Sequence, residues 1–258
     1  MPTPLPGNSR AFRLVTPGVS YQEIRHPGSV RAFIDCEWSF RAERPREIVH
    51  PDGCADLLFD DSGGIYISGV ASRTRTLDPA LSLGLCGLRL KAGAIPFFFG
   101  VSASQFRNQL RPMADVSSPV ARAMTAMAQQ AKNRAELVRA ILRLLSEKCS
   151  AKTVEGWLAF ALFEAQRRPV GAVARALGMS ARHLHRLFLE QVGLSPSRFR
   201  RIRRLERVID AMRRLPPDPP MAAFALDQGF FDQAHMNHEL KDLTGMTPVV
   251  LHRSLAQP

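Results

Sequence analysis

Apolar residues recur with period two up to about residue 100 and with a period near 3.6 beyond Gly100, so the chain changes from strand-like to helical partway along. Within residues 32–40, Ala32, Ile34, Cys36, Trp38 and Phe40 alternate with mostly polar neighbours, as in a half-buried strand. Short apolar runs follow at 56–59, 65–67, 81–90 and 95–99. Turn formers separate them: Pro51-Asp52-Gly53, Asp61-Ser62-Gly63-Gly64, Asp78-Pro79 and Lys91-Ala92-Gly93. Many short strands at this spacing predict a small antiparallel β barrel or sandwich over residues 1–100.

The helical part opens with Ser102, expected to cap a short helix carrying Phe106 and Leu110. Pro119 opens a second helix through Met124 and Met127. Asn133 caps a third, with Leu137, Val138, Ile141, Leu144 and Leu145 on one stripe. Residues 101–150 thus read as a helical connector that also offers a dimer surface. From Thr153 a compact all-α domain is expected over residues 151–258, giving an α+β chain overall. Val154, Trp157, Leu158, Ala161, Leu162 and Ala165 line its first helix, which Arg167-Arg168-Pro169 ends.

That last domain repeats itself. ARALGMSARHLHRLFLEQVGLSP from Ala174 is answered by ALDQGFFDQAHMNHELKDLTGMTP from Ala225. Each copy runs from a small residue to a turn glycine (Gly178, Gly229), a polar helix start and an apolar stripe. A second glycine (Gly193, Gly245) and Ser195-Pro196 or Thr247-Pro248 close it. This is the pattern of two helix-turn-helix units joined by a long helix. In the first, Val170, Val173, Ala174 and Leu177 pack a positioning helix, and Gly178 makes the turn. Ser180 caps the next helix. Leu184, Leu187 and Phe188 then point inward, leaving Arg182, His185 and Arg186 outward on its first turns, where a recognition helix meets base edges. In the second, Ala222, Ala225 and Leu226 are expected to pack and Asp232 to cap. Met236 and Leu240 take the inward places, leaving Gln233, Ala234, His235, Asn237 and His238 toward a groove. Arginine pairs bidentately with guanine, and Gln233 or Asn237 with adenine. A solvated basic face is the alternative for the first helix alone, and core packing is an alternative for His235.

Charge strengthens the reading. The net charge of +12 argues for a polyanionic partner. Much of it lies in RFRRIRRLERVIDAMRRL between the repeats, where Phe199, Ile202, Leu205, Ile209 and Met212 form the apolar stripe. Arg200, Arg201 and Arg204, with His235, are the expected phosphate contacts. Other arginines pair with Glu206, Asp210 or solvent, and the Pro216 to Pro220 run stiffens the entry to the second unit. No apolar run approaches a membrane span, and MPTPLPGNSR lacks a signal core, so a cytoplasmic protein is expected.

On these residues the segment from Thr153 to Arg253 resembles the DNA-binding domain of the AraC/XylS family of bacterial transcription regulators. The resemblance rests on Ala174, Leu177, Gly178, Ser180, Leu184, Arg186, Leu187 and Phe188. In the second copy it rests on Gly229-Phe230, Asp232-Gln233, His235, Lys241, Gly245 and Thr247-Pro248. The one extra residue between the second pair of glycines also follows the family pattern. By position, the family's base contacts fall on Arg182, His185, Arg186, Gln233, Asn237 and His238. His238 replaces a usual arginine and Val208 a usual alanine. HPDGCADLLF and GLRLKAGAIPFFFGVSASQF are similar to the β-rich N-terminal domain of one family branch. The resemblance implies double-stranded DNA, RNA polymerase, a small-molecule effector and a homodimer mate as partners, and a place on the bacterial nucleoid.

Competing chemistries find little support. Cys36, Cys54, Cys86 and Cys149 are scattered and read as buried reduced thiols, not zinc ligands. Only His26 and His50 precede the helical part, too few for a cupin-like metal enzyme. No catalytic residue, metal or cofactor is expected. Arg89 and Lys91 read as exposed strand charges, with an anionic ligand as the alternative, and His50 with Cys54 as a remote metal pair. An architectural or repair-associated DNA-binding protein remains the other class.

Overall fold

A computed structural model describes residues 19–42, 48–76, 85–149 and 156–256. The lead-in MPTPLPGNSR, the Asp78-Pro79 turn, the start of the run from Leu81, Thr153 and Val154 lie outside the described residues, as does the Trp157 side chain.

The strand-like region forms β1 (Val19–Ile24), β2 (Ile34–Ala42), β3 (Ile48–Val49), β4 (Ala55–Phe59), β5 (Ile65–Ser68), β6 (Arg75–Thr76), β7 (Leu85–Leu90) and β8 (Leu110–Pro112). Six of them make one antiparallel sheet in the order β1-β2-β7-β4-β5-β8, and β3 pairs with β6 in a ribbon. Alternation sends Leu57, Phe59, Cys86, Leu88 and Leu90 to one face. Leu58, Leu85, Cys36, Trp38 and Phe40 go to the other. A register shift between Ile34 and Glu37 puts Ile34 on the first face, away from Cys36, Trp38 and Phe40.

Three helices follow: α1 (Ala94–Phe99), α2 (Pro119–Gln130) and α3 (Arg134–Cys149). Leu137, Val138, Ile141 and Leu145 of α3, with Met124 of α2, share one core with Leu57, Phe59 and Leu88 of the sheet. Asn133 accepts the Glu136 N–H at 2.9 Å, as the capping pattern requires.

Two expected elements differ. The run 95–99, read as a strand, is helical: Ala94, Ile95, Phe98 and Phe99 are buried at helix spacing, and Phe97 stacks on Phe33 at 3.9 Å. A short apolar run does not separate strand from buried helix by periodicity, and the spacing 94, 95, 98, 99 was the available signal. Ser102 caps only a 3-10 turn, Ala103–Phe106, so Leu110 falls on β8 instead. Asn108 stops the turn at φ 60, with its side chain held by the Ser72 N–H at 2.7 Å and pointing its amide at the Ser72 hydroxyl.

The C-terminal part comprises α4 (Gly156–Glu164), α5 (Val170–Ala176), α6 (Ala181–Val192), α7 (Pro196–Met212), α8 (Met221–Asp227), α9 (Gln233–Thr244) and α10 (Pro248–Ala256). Its core gathers Leu158, Ala161, Val173, Leu184, Phe188, Ile202, Leu205, Val208, Met236, Leu240 and Leu251. On α8 the inward residues are Met221, Phe224 and Ala225. Ala222 is exposed and Leu226 is 62% exposed, against the expected packing. The buried face thus runs through Met221, Phe224 and Ala225, one residue away from the one expected from the repeat, because the larger Met221 and Phe224 side chains fill the core.

The two parts dock closely. Gly193, at φ 81, ends α6 where a β-carbon would stand 2.8 Å from Val70, so only glycine suits both the backbone and the contact. Residues 70–74 run on as a strap. The Ser72 carbonyl accepts from Arg198 at 3.0 and 2.6 Å, Arg73 pairs with Asp242 at 2.9 Å, and Thr74 N–H donates to the Leu243 carbonyl at 2.8 Å. One stretch of the β part therefore touches the ends of both α6 and α9.

Candidate nucleic-acid interface

Each repeat folds as a helix, a turn and a second helix. In the first unit α5 leads to Gly178 at φ 65 and Ser180, whose hydroxyl accepts the His183 N–H at 3.1 Å and starts α6. Leu184 and Phe188 are fully buried, Leu187 is half-buried, and Phe188 meets Phe199 edge-on with centroids 5.7 Å apart. Arg182, His185 and Arg186 are exposed, and among the described residues no carboxylate pairs with either guanidinium. An open groove of about 530 Å³ separates Arg186, Leu189 and Glu190 from Pro96, Val101 and Ser104.

In the second unit α8 leads to Gly229 at φ 76, and the Asp232 carboxylate accepts the His235 N–H at 2.7 Å to start α9. Met236, Leu240 and Leu243 are fully buried. Gln233, Ala234, His235 and His238 are exposed and Asn237 is half-buried. Thus Arg182, His185 and Arg186 share one helix start, and Gln233, Asn237 and His238 another.

The expected phosphate contacts divide differently. Arg204 grips buried Glu239 through two nitrogens, at 2.7 and 2.5 Å, and lies over Phe230 at 4.6 Å. Arg201 bridges Glu239 at 3.2 Å and Asp242 at 2.7 Å. Burial would push the Asp242 carboxyl up, but hydrogen bonds from Arg198 and Arg201 outweigh it and hold the pKa at about 2. Arg201 and Arg204 thus form ion pairs that bind α7 to α9. His235 is likewise engaged by its own turn. Its Nδ1 accepts the Phe231 N–H at 3.3 Å, its ring meets Phe230 edge-on at 5.4 Å, and Nε2 stands 3.8 Å from Glu239. Arg200 is half-buried and, among the described residues, has no carboxylate partner. Glu239 and Asp242 escaped the reading of the sequence. Arginines at 198, 201 and 204 form one stripe on α7, but a basic stripe suits carboxylates and phosphates alike, so the facing acidic pair had no signal of its own.

Arg89 departs from its expectation most. It is fully buried, with Asp52 at 3.6 Å and Asp56 at 3.4 Å. Burial opposes its charge, yet Asp56 and Asp52 hold it firmly protonated. Asp56 also accepts the Trp38 indole N–H at 2.7 Å. Lys91, half-buried, donates to the Arg31 carbonyl at 2.6 Å. His50 faces Thr74 at 2.8 Å, and Cys54 lies 3.9 Å from the Asp52 carbonyl. Cys36 and Cys86 are buried thiols, pushed up to about 12 and about 11 by burial. Among the described residues no His, Cys, Asp and Glu cluster is arranged to hold a metal ion, and no helix is long and apolar enough to cross a membrane.

Comparison with known proteins follows the same division of the chain. Residues 173–254 match the family model of a helix-turn-helix domain. Residues 22–112 match that of a domain of unknown function, DUF6597. Among solved structures the chain is similar to ToxT from Vibrio cholerae O395, at 8% identity and a TM-score of 0.40, over 93% of this chain and 99% of that one. A P21 crystal form of ToxT from Vibrio cholerae gives 10% identity and a TM-score of 0.39, over 92% and 98%. The paired helical units, with their exposed helix starts, are those of a DNA-binding transcription regulator of the helix-turn-helix class. Within that class the C-terminal domain is of the AraC type, preceded by a DUF6597 domain.

Proposed function

We propose that this regulator reads an asymmetric duplex site through two adjacent major grooves, one entered by the start of α6 and the other by the start of α9. The observation that carries the reading is that two matched frames expose different chemistry. Arg182, His185 and Arg186 stand on one, and Gln233, Asn237 and His238 on the other. Arginine suits guanine edges, glutamine and asparagine suit adenine, so the two halves of the site differ in sequence. Recognition helices that enter successive grooves on one face of B-DNA lie about one turn, roughly 34 Å, apart, and α7 is the spacer between them. Arg200 supplies sequence-independent attraction to phosphate, which salt weakens.

The strap at residues 70–74 gives the N-terminal part a handle on both readers, so a small-molecule effector or a second copy acting there would alter their relative placement. RNA polymerase completes the partner set of a promoter-bound regulator on the nucleoid. Selection of bound sequences from random duplex DNA, with and without a metabolite extract, tests the reading. An asymmetric two-part consensus supports it, and binding without sequence enrichment sinks it. Mapping of bound sites across the genome separates regulation, with a few promoter sites, from the uniform coverage of an architectural protein.

A further inference from the structure

Helices α6 and α9 are equal in length at 12 residues each, and each ends on a left-handed glycine. The approach to them differs. Only Met179 separates Gly178 from the cap Ser180, whereas Phe230 and Phe231 separate Gly229 from the cap Asp232. Hydrogen bonds fix the correspondence: Met179 N–H donates to the Ala174 carbonyl at 2.9 Å, and Phe230 N–H donates to the Ala225 carbonyl at 3.0 Å. Phe230 therefore stands where Met179 stands, and Phe231 is the added residue.

The two phenylalanines have opposite fates. Phe230 is buried beneath Arg204 and beside His235, while Phe231 is 85% exposed. An apolar residue just before a helix cap commonly packs onto the fourth helical residue. Here that residue, Met236, is fully buried and Phe231 remains outside. Nor is Phe231 on a loose end. Its N–H is held by His235 Nδ1, and the next residue caps α9. A large apolar ring is thus presented at the end of α9 that also carries Gln233. Thymine presents the one methyl group among base edges in the major groove, and it takes apolar side chains such as phenylalanine.

We propose that Phe231 is a specificity-determining residue of the second reader, its ring meeting the C5 methyl of a thymine beside the base contacted by Gln233. This rests on the reading that α9 enters a major groove. The test starts from a duplex selected by the wild-type protein. Each thymine in turn is replaced by deoxyuridine, which removes the methyl group and leaves pairing and hydrogen-bonding groups intact. One replacement, in the half whose readout also changes in Gln233→Ala, is expected to weaken wild-type binding roughly fourfold, as for the loss of one buried methyl group. Phe231→Ala should bind the parent duplex more weakly and treat thymine and deoxyuridine alike at that position. Its unfolding midpoint should match wild type, because the ring it removes is exposed. Phe231→Leu, still apolar, should keep part of the methyl preference. Wild-type indifference to deoxyuridine at every position, or a penalty undiminished in Phe231→Ala, overturns the proposal while leaving DNA binding intact. Failure to enrich any duplex overturns the underlying reading as well.

Discussion

Arg186 and Arg204 carry the same guanidinium in different surroundings, and the surroundings decide what each contributes. Arg186 is exposed on the start of α6, with no carboxylate to satisfy it among the described residues. Arg186→Ala should cost about 1–3 kcal/mol on the selected site and relax one base position, with little loss on random DNA. Competition binding checks this, and an equal loss on both DNAs would mean that Arg186 touches phosphate only. Arg204 holds Glu239, which is 5% exposed. Arg204→Ala should lower stability by roughly 2–4 kcal/mol, at or below the usual cost of breaking a buried pair, because Arg201 still reaches Glu239. Denaturant unfolding measures it. An unchanged midpoint with a shallower salt dependence of binding would return Arg204 to phosphate. The sequence displayed both arginines equally; which of them faces a carboxylate depends on a helix 35 residues away in the chain.

At the scale of elements, local chemistry was the reliable guide. Ser180 and Asp232 cap α6 and α9 through hydrogen bonds within four consecutive residues, so their role is legible without any tertiary contact. Ser180→Ala and Asp232→Ala should each cost about 1 kcal/mol in unfolding free energy. The Asp232 change should additionally blur discrimination in the half-site of α9, because the same residues position Phe231 and Gln233. A loss confined to stability in both variants would separate the caps from readout. Where the elements were misread, the local signal was ambiguous. The run 95–99 is too short to show its period clearly. On α8, both candidate phases place Ala225 inward, and the observed one buries Met221 and Phe224 in place of Ala222 and Leu226.

The whole molecule adds a dependence on pH that no segment contains. His50 lies against the strap at Thr74. Burial, helped by Arg213 of the segment after α7, lowers its pKa to about 4. Glu206 on α7 is half-buried, with Asp52 of the β part among the charges that act on it. Burial, against Arg203 and with Asp52, raises its pKa to about 8. Below pH 6.5 the unfolded His50 takes a proton that the folded one refuses until about 4, so stability falls as pH falls through that window. Between about 4.5 and 8 the folded Glu206 keeps a proton that the unfolded chain has released, so stability falls as pH rises. Each contributes a slope of about 1.4 kcal/mol per pH unit where it acts, and the two oppose each other where the windows overlap. Glu206→Gln should flatten the decline above pH 6.5, and His50→Gln should flatten part of the loss toward pH 4. Thermal midpoints across pH for the three proteins check both, and a wild-type slope surviving in Glu206→Gln would place its origin elsewhere.

By itself the sequence determined the two capped helix-turn-helix units, their glycine turns, the apolar stripe of α7 and most of the strand periodicity of the N-terminal part. Each of these arises from contacts or periodicities within a few residues, where the physics is local. Tertiary structure alone decided that Arg201 and Arg204 face Glu239 and Asp242, that Arg89 is buried between Asp52 and Asp56, and that residues 70–74 bridge both helix-turn-helix units. Charge pairing and burial depend on what distant segments place within a few ångströms. A basic side chain cannot announce along the chain whether its partner is a carboxylate inside the protein or a phosphate outside it.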